Sequence, residues 1–188
     1  TAQAVDTFRT YGSTNPVFRI TYSGFVNGDG PANITPPVAS SVASVTSGVG
    51  TYPITLTGGS ATNYTFVNNS GNLSVLPASI TVKADNKTIT DDDALPKFTS
   101  TISGFKNGDA STIVSGPVYK VSPTYYKEHP GNYTITPSAL VLLNPANYNI
   151  VYVSGILCVL EDHQSYDYRQ DSLTAISTKP MIAINPGN

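Results

Sequence analysis

The 188-residue chain has a single cysteine, a single methionine and no tryptophan. One thiol excludes an internal disulfide framework and any cysteine-based metal cluster, so folding rests on burial alone. Cys158 falls in a strand pattern where an earlier, matching stretch has Ser74, and reads as a small strand residue rather than a reactive thiol. Charge is scarce as well: Asp, Glu, Lys and Arg make up 12% of the chain, with a formal net charge of −2. The ten basic residues are scattered, which leaves nucleic acid and anionic lipid without an electrostatic footprint. No apolar run approaches the roughly eighteen residues of a membrane span, and no signal-peptide core is visible, so direct membrane insertion is not expected.

Catalytic signatures are missing too. His129 precedes Pro130-Gly131 and His163 lies in a polar tail, neither with a partner at triad or metal-ligand spacing. There is no Gly-x-Ser-x-Gly elbow, no phosphate-binding glycine loop and no His-Glu-x-x-His. The expectation is a protein without enzymatic activity and without a cofactor. Helical periodicity is broken everywhere by Gly, Pro, Asn or Ser-Thr clusters.

What the chain does have is one statement made twice. Ser23-Gly24-Phe25-Val26-Asn27-Gly28-Asp29 returns as Ser103-Gly104-Phe105-Lys106-Asn107-Gly108-Asp109, and a shift of eighty residues also pairs Thr1, Ala4, Thr10, Pro16, Phe18 and Thr21 with identical residues. Downstream, Gly50-Thr51-Tyr52-Pro53-Ile54-Thr55 answers Gly131-Asn132-Tyr133-Thr134-Ile135-Thr136, Asn63-Tyr64 answers Asn147-Tyr148, and Gly71 to Val75 answers Gly155 to Val159. Repetition at this period means tandem copies of one module. The copies are assigned to residues 1–77 and 78–160, with 161–188 as a polar linker or the start of a following segment, in which Leu173-Thr174-Ala175-Ile176 and Met181-Ile182-Ala183-Ile184 remain strand candidates. Thr1 already falls inside the first copy, so the chain is expected to be a piece of a longer protein with its opening strand cut short.

Strands are expected at Phe18 to Tyr22, Phe98 to Ile102, Tyr52 to Leu56, Tyr133 to Thr136, Tyr64 to Val67 and Tyr148 to Val153, where apolar and polar residues alternate. Asn27-Gly28 and Asn107-Gly108 tolerate positive φ, and the adjoining Asp29 and Asp109 are placed to accept from nearby backbone amides. Gly24 and Gly104 sit where a strand bends or approaches another backbone. Asp109 is an acceptable N-cap for a short helical turn. The fold expected is all-β or mostly β: two small immunoglobulin-like sandwiches, with β-grasp modules as the alternative because that turn could cross a mixed sheet.

The ordered set Tyr11-Gly12, Asn15-Pro16, Tyr22 to Asp29, Val49 to Thr55, Asn63-Tyr64 and Gly71 to Val75 resembles the MBG family, and both copies are covered over about residues 1–160. The second copy departs from the pattern, with Asp91-Asp92 for Tyr-Gly and Leu95-Pro96 for Asn-Pro. The resemblance implies tandem modules of large secreted or surface-anchored bacterial proteins associated with adhesion, and it brings no catalytic residues. The function expected is a non-enzymatic stalk or spacer at the bacterial cell surface, its partners being neighbouring repeats and a host or matrix glycan or protein. The rival is a carbohydrate- or protein-binding module.

Two side-chain groups stand out as candidate sites. Tyr119, Tyr125, Tyr126 and Lys127 combine aromatic faces with a cation, as a glycan or protein contact surface would, the competing reading being cross-strand aromatic packing on a sheet. Asp91, Asp92 and Asp93 form the densest carboxylate group. Calcium takes six to eight oxygens, and consecutive residues in an extended segment point in alternating directions, so the competing reading is a solvated turn.

Overall fold

A computed structural model describes residues 1–162. The predicted linker over 161–188, its two strand candidates and His163 therefore lie outside the described residues, apart from Glu161 and Asp162. Sixteen strands and three short 3-10 turns make up the described chain, with no α-helix among them. The first copy contributes β1 (Ala2–Ala4), β2 (Thr7–Thr10), β3 (Ile20–Tyr22), β4 (Val38–Ser41), β5 (Gly50–Thr57), β6 (Asn68–Asn69) and β7 (Gly71–Leu76). The second contributes β8 (Ala78–Ala84), β9 (Lys87–Thr90), β10 (Ser100–Ser103), β11 (Ile113–Ser115), β12 (Val118–Ser122), β13 (Gly131–Ser138), β14 (Val141–Leu142), β15 (Tyr148–Val153) and β16 (Gly155–Leu160).

Both copies use one topology. The opening segment is shared between two sheets: β1 lies antiparallel to β3 and parallel to β6, after which β2 leaves to run parallel to β7. The sheets are ordered β3-β1-β6 and β2-β7-β5-β4 in the first copy, and β10-β8-β15 and β12-β13-β16-β9 in the second, where β11 and β14 add a two-stranded ribbon. Register is kept as well, because Ala2 faces Asn68 as Val82 faces Tyr152. The closing strands show why alternation was readable: β7 and β16 both bury their first, third and fifth residues. Tyr52 and Tyr133 each donate their hydroxyl to a carbonyl four residues upstream, at Gly48 (3.0 Å) and His129 (2.8 Å).

Two compact units emerge. One comprises Thr1–Lys83, Ser100–Tyr119 and Pro137–Val153, the other Ala84–Thr99, Lys120–Thr136 and the described residues from Ser154 onward. The first unit holds two apolar clusters. Ala4, Ala43, Ile54 and Leu73, with Phe18 and Leu56 against them, fill the interior of the first copy. A second cluster draws on both copies, joining Tyr11 and Val75 to Ala78, Ile80, Val82, Leu140, Leu142 and Tyr148. Within the other unit, Leu157 and Val159 of β16 and Ile135 of β13 are buried.

Three local expectations change. The strand read over Tyr64 to Val67 is not formed and pairing begins just beyond it, at Asn68–Asn69, because in the shared register the partners of Tyr64 to Phe66 would lie upstream of Thr1. Its counterpart Tyr148–Val153 has all six partners, from Ala78 to Lys83. The strands begun at Phe18 and Phe98 pair only from Ile20 and Ser100 onward. The turn after Asn107 spans Asp109–Thr112 and is capped by Gly108, so Asp109 lies inside it rather than at its N-cap. One such turn is too short to serve as the crossing helix of a β-grasp module.

Candidate functional site

The repeated Ser-Gly-Phe-x-Asn-Gly-Asp motif builds a tyrosine clasp. Asn27 and Gly28 have φ of 56° and 80°, and Asn107 and Gly108 have 51° and 81°. The Asp29 amide closes on Val26 O at 3.0 Å and the Asp109 amide on Lys106 O at 2.8 Å. Two central residues at positive φ make this a type I′ turn, for which Asn-Gly is the preferred pair. The turn aims its aspartate at the tyrosine of the Asn-Tyr motif: Tyr64 donates to Asp29 Oδ2 at 2.7 Å, and Tyr148 to Asp109 Oδ2 at 2.8 Å. The same hydroxyls accept from the amides of Val26 (3.2 Å) and Lys106 (2.9 Å). Phe25 and Phe105 meet these tyrosines edge-on, with ring centroids 5.5 and 6.0 Å apart. The aspartates, which the sequence places to accept from nearby backbone amides, receive tyrosine hydroxyls in the structure.

Gly24 and Gly104 precede the clasps at φ of 91° and 99°. A β-carbon on Gly104 would collide with the carbonyl of Ser79, and the equivalent space beside Gly24 opens on the Thr1 amino group. Here the copies diverge.

The second clasp is filled by a residue from the first copy. Tyr11 lies between Tyr148 and Asp109, donating to Asp109 Oδ2 at 2.9 Å and crossing the Tyr148 ring at 87° with centroids 5.5 Å apart. Tyr11 and Tyr148 are 5% and 6% exposed. Burial first, then the Asp109 hydrogen bond and charge, pushes the Tyr148 hydroxyl up to about 12. Gly12 makes the approach feasible: its φ is +77°, and a β-carbon there would run into the Lys106 side chain. The Tyr11 amide is anchored on Leu76 O at 2.8 Å. Asn147 and Asn107 complete the joint, the former accepting from the Val49 amide (2.9 Å) and the latter donating to Val45 O (3.3 Å). In the first copy Tyr64 is half-buried, and the Asp29 hydrogen bond raises its hydroxyl above the ordinary tyrosine value.

The candidate contact residues belong to both units. Tyr119 donates to Ser100 Oγ at 2.9 Å, in the first unit. Tyr125, in the other unit, donates to the carbonyls of Asp91 (3.1 Å) and Asp93 (2.9 Å) and packs edge-on against Tyr133. Burial, followed by the neighbouring acidic groups, raises the Tyr125 hydroxyl. Tyr126 is 65% exposed, beside the His129 ring and the exposed Lys127.

Two of the three aspartates, Asp92 and Asp93, are engaged with their own turn. Thr90 donates its hydroxyl to Asp92 Oδ1 (2.9 Å) and Asp93 Oδ2 (2.8 Å), and its amide also reaches Asp93 Oδ2 (2.8 Å). Those bonds from Thr90 hold the Asp93 carboxyl below the ordinary range. Asp91 Oδ1 accepts from the Asp162 amide at 3.0 Å. Among the described residues, no group of three or more His, Cys, Asp or Glu side chains is arranged to hold a metal ion.

A further polar site went unread in the sequence. Arg9 is buried, donating Nε to Asn15 Oδ1 at 2.7 Å and reaching the carbonyls of Thr10 and Ser44, while Asn15 donates to Ala43 O at 2.6 Å. The asparagine of the Asn-Pro motif thus secures a buried guanidinium. The second copy has Ile89 and Leu95 at these positions, both polar partners exchanged together. That paired exchange was the available signal.

The family description MBG domain (YGX type) matches residues 1–74 and again 80–158. The chain belongs to this family, as two tandem MBG repeats. In the first repeat the Tyr11-Gly12 turn is the part inserted beside Asp109. A comparison with curated proteins finds no match. MBG repeats are structural repeat modules of the surface-protein kind. No helix among the described residues is long and apolar enough to cross a membrane, which does not bear on spanning by strands.

Proposed function

We propose that this pair of MBG repeats is a non-enzymatic spacer in a secreted or surface-anchored bacterial protein, holding other parts of that protein at a set distance from the cell. The observation that carries this reading is the joint between the copies. Tyr11, Val49, Tyr52 and Val75 pack with Ala78, Ile80, Phe105 and Tyr148 around one core, and Pro77 alone separates β7 from β8. A flexible tether would expose this surface instead. Adhesion by such a protein would come from valency along the array.

Site-directed spin labels at Thr57 and Ser115 test the spacer. A narrow distance distribution that broadens in Tyr11→Ala supports it, and a broad one in the wild type refutes it.

Exposed Tyr126 beside Lys127 favours a second reading, in which the second repeat contacts a glycan or protein directly. Binding to a glycan array or to mucin that is lost in a Tyr126→Ala, Lys127→Ala double variant would establish it. The spacer reading expects no saturable binding.

A further inference from the structure

The first repeat carries the same clasp as the second, without its insert. Tyr22, Gly24, Phe25, Ile34, Tyr64 and Phe66 line a shallow cavity of about 90 Å³. Their counterparts in the second repeat, Ile102, Phe105, Tyr148 and Ile150, are packed against the shared core. What closes the second clasp is known residue by residue: the strand Ala78 to Ile80, which faces Tyr148 to Ile150, and the Tyr11-Gly12 turn on Asp109 and Lys106. Continuing the β1 register upstream of Thr1 places three strand residues opposite Phe66, Thr65 and Tyr64. Gly24 leaves room for that backbone, as Gly104 does for Ser79. Asp29, Asn27 and Asn63 repeat the polar groups that the second repeat directs at the first, Asp109 at Tyr11, Asn107 at Val45 and Asn147 at Val49.

We propose that this face of the first repeat is an acceptor for another module of the same type, taking its junction strand along Tyr64 to Phe66 and its Tyr-Gly turn onto Asp29 and Tyr64. This deepens the spacer reading and rests on it, since a module seated here turns a pair into an ordered array. A module of the first repeat's type presents a Tyr-Gly insert at one end and a clasp at the other, so assembly is head-to-tail. The second repeat cannot pass the contact on in the same form. Its Asp91-Asp92 supplies no phenol and would bring carboxylates toward the aspartate of the next clasp.

The test uses the full chain with residues 1–80 duplicated in frame ahead of Thr1, so that Ile80 of the added module is followed by Thr1. Hydrogen exchange and hydroxyl-radical labelling then follow the original Tyr64 clasp. The expected result is roughly tenfold slower exchange at the Val26 and Thr65 amides and a matching fall in Tyr64 labelling. Placing Tyr11→Ala in the added module alone should return Tyr64 labelling toward its level in the unextended chain while leaving the strand amides protected. A folded added module that leaves Val26 and Tyr64 unchanged overturns the proposal. Should the added module fail to fold, a short extension carrying Leu-Pro-Ala-Ser-Ile ahead of Thr1 must still protect Thr65, and no protection there overturns it equally. Clasp protection together with specific glycan binding would sink the spacer reading and leave the acceptor standing. Absence of both would sink the acceptor alone.

Discussion

The two clasps contain the same turn, aspartate and tyrosine, yet Tyr148 is buried and Tyr64 only half so. The difference comes from Tyr11 and the Ala78 to Ile80 strand, which reach one clasp and not the other. Local sequence specifies the clasp, and its environment is supplied from a distance. The Arg9 site teaches the complementary lesson. A buried polar pair in one repeat became Ile89 and Leu95 in the other, which is tolerable because both partners changed and neither was left unsatisfied.

Removing the insert should have the largest effect. Tyr11→Ala takes away a buried ring and its hydrogen bond, and should cost about 3 kcal/mol in denaturant unfolding. Asp91→Ala, at the equivalent position of the second repeat, should cost well under half as much. Equal losses would show that the contact with Asp109 carries no special stability.

Arg9→Ile alone strands Asn15 and the carbonyl of Ser44, and should cost about 2 kcal/mol. Adding Asn15→Leu, which copies the second repeat, should recover at least about half of that. A double variant as unstable as the sum of the singles would mean that the exchange is not compensatory.

Alkaline pH probes the filled clasp. The Tyr148 hydroxyl is raised from 10.0 to about 12 in the folded protein, so above pH 10 the unfolded chain releases that proton first. Its contribution to stability is therefore complete below pH 10 and is lost as pH rises toward about 12. Denaturant titrations across this window should show a declining stability whose slope flattens in Tyr148→Phe. An unchanged slope would assign the decline to other groups.

The Asn-Gly turns should respond more weakly and alike. Neither Gly28 nor Gly108 has an atom within 4 Å of where a β-carbon would sit, so Gly→Ala at either costs only the backbone penalty of positive φ, about 1 kcal/mol. A much larger loss at Gly108 would reveal that the joint around Asp109 depends on turn geometry.

Calcium should do least. With Asp92 and Asp93 turned onto Thr90, millimolar calcium is expected to leave Tm unchanged against chelator. A rise of several degrees that vanishes in an Asp91→Asn, Asp92→Asn variant would instead make this turn a cation site of the second repeat.

The repeat, most strands and the positive-φ turns were legible because they depend on neighbours in sequence: alternation sets a strand's buried face, and Asn-Gly sets a turn's handedness. The Tyr64 strand was over-read because alternation records which residues suit a strand, not whether a partner strand lies alongside. Composition alone does not say where a tyrosine hydroxyl goes: those of Tyr119 and Tyr125 bond Ser100 and the carbonyls of Asp91 and Asp93, partners brought in by the fold. By itself the sequence determined that two like β modules follow one another and where each must turn. Only the tertiary structure decided that Tyr11 belongs to the clasp of Asp109, 98 residues away, since no periodicity or turn preference encodes which distant surface will exclude water from a ring.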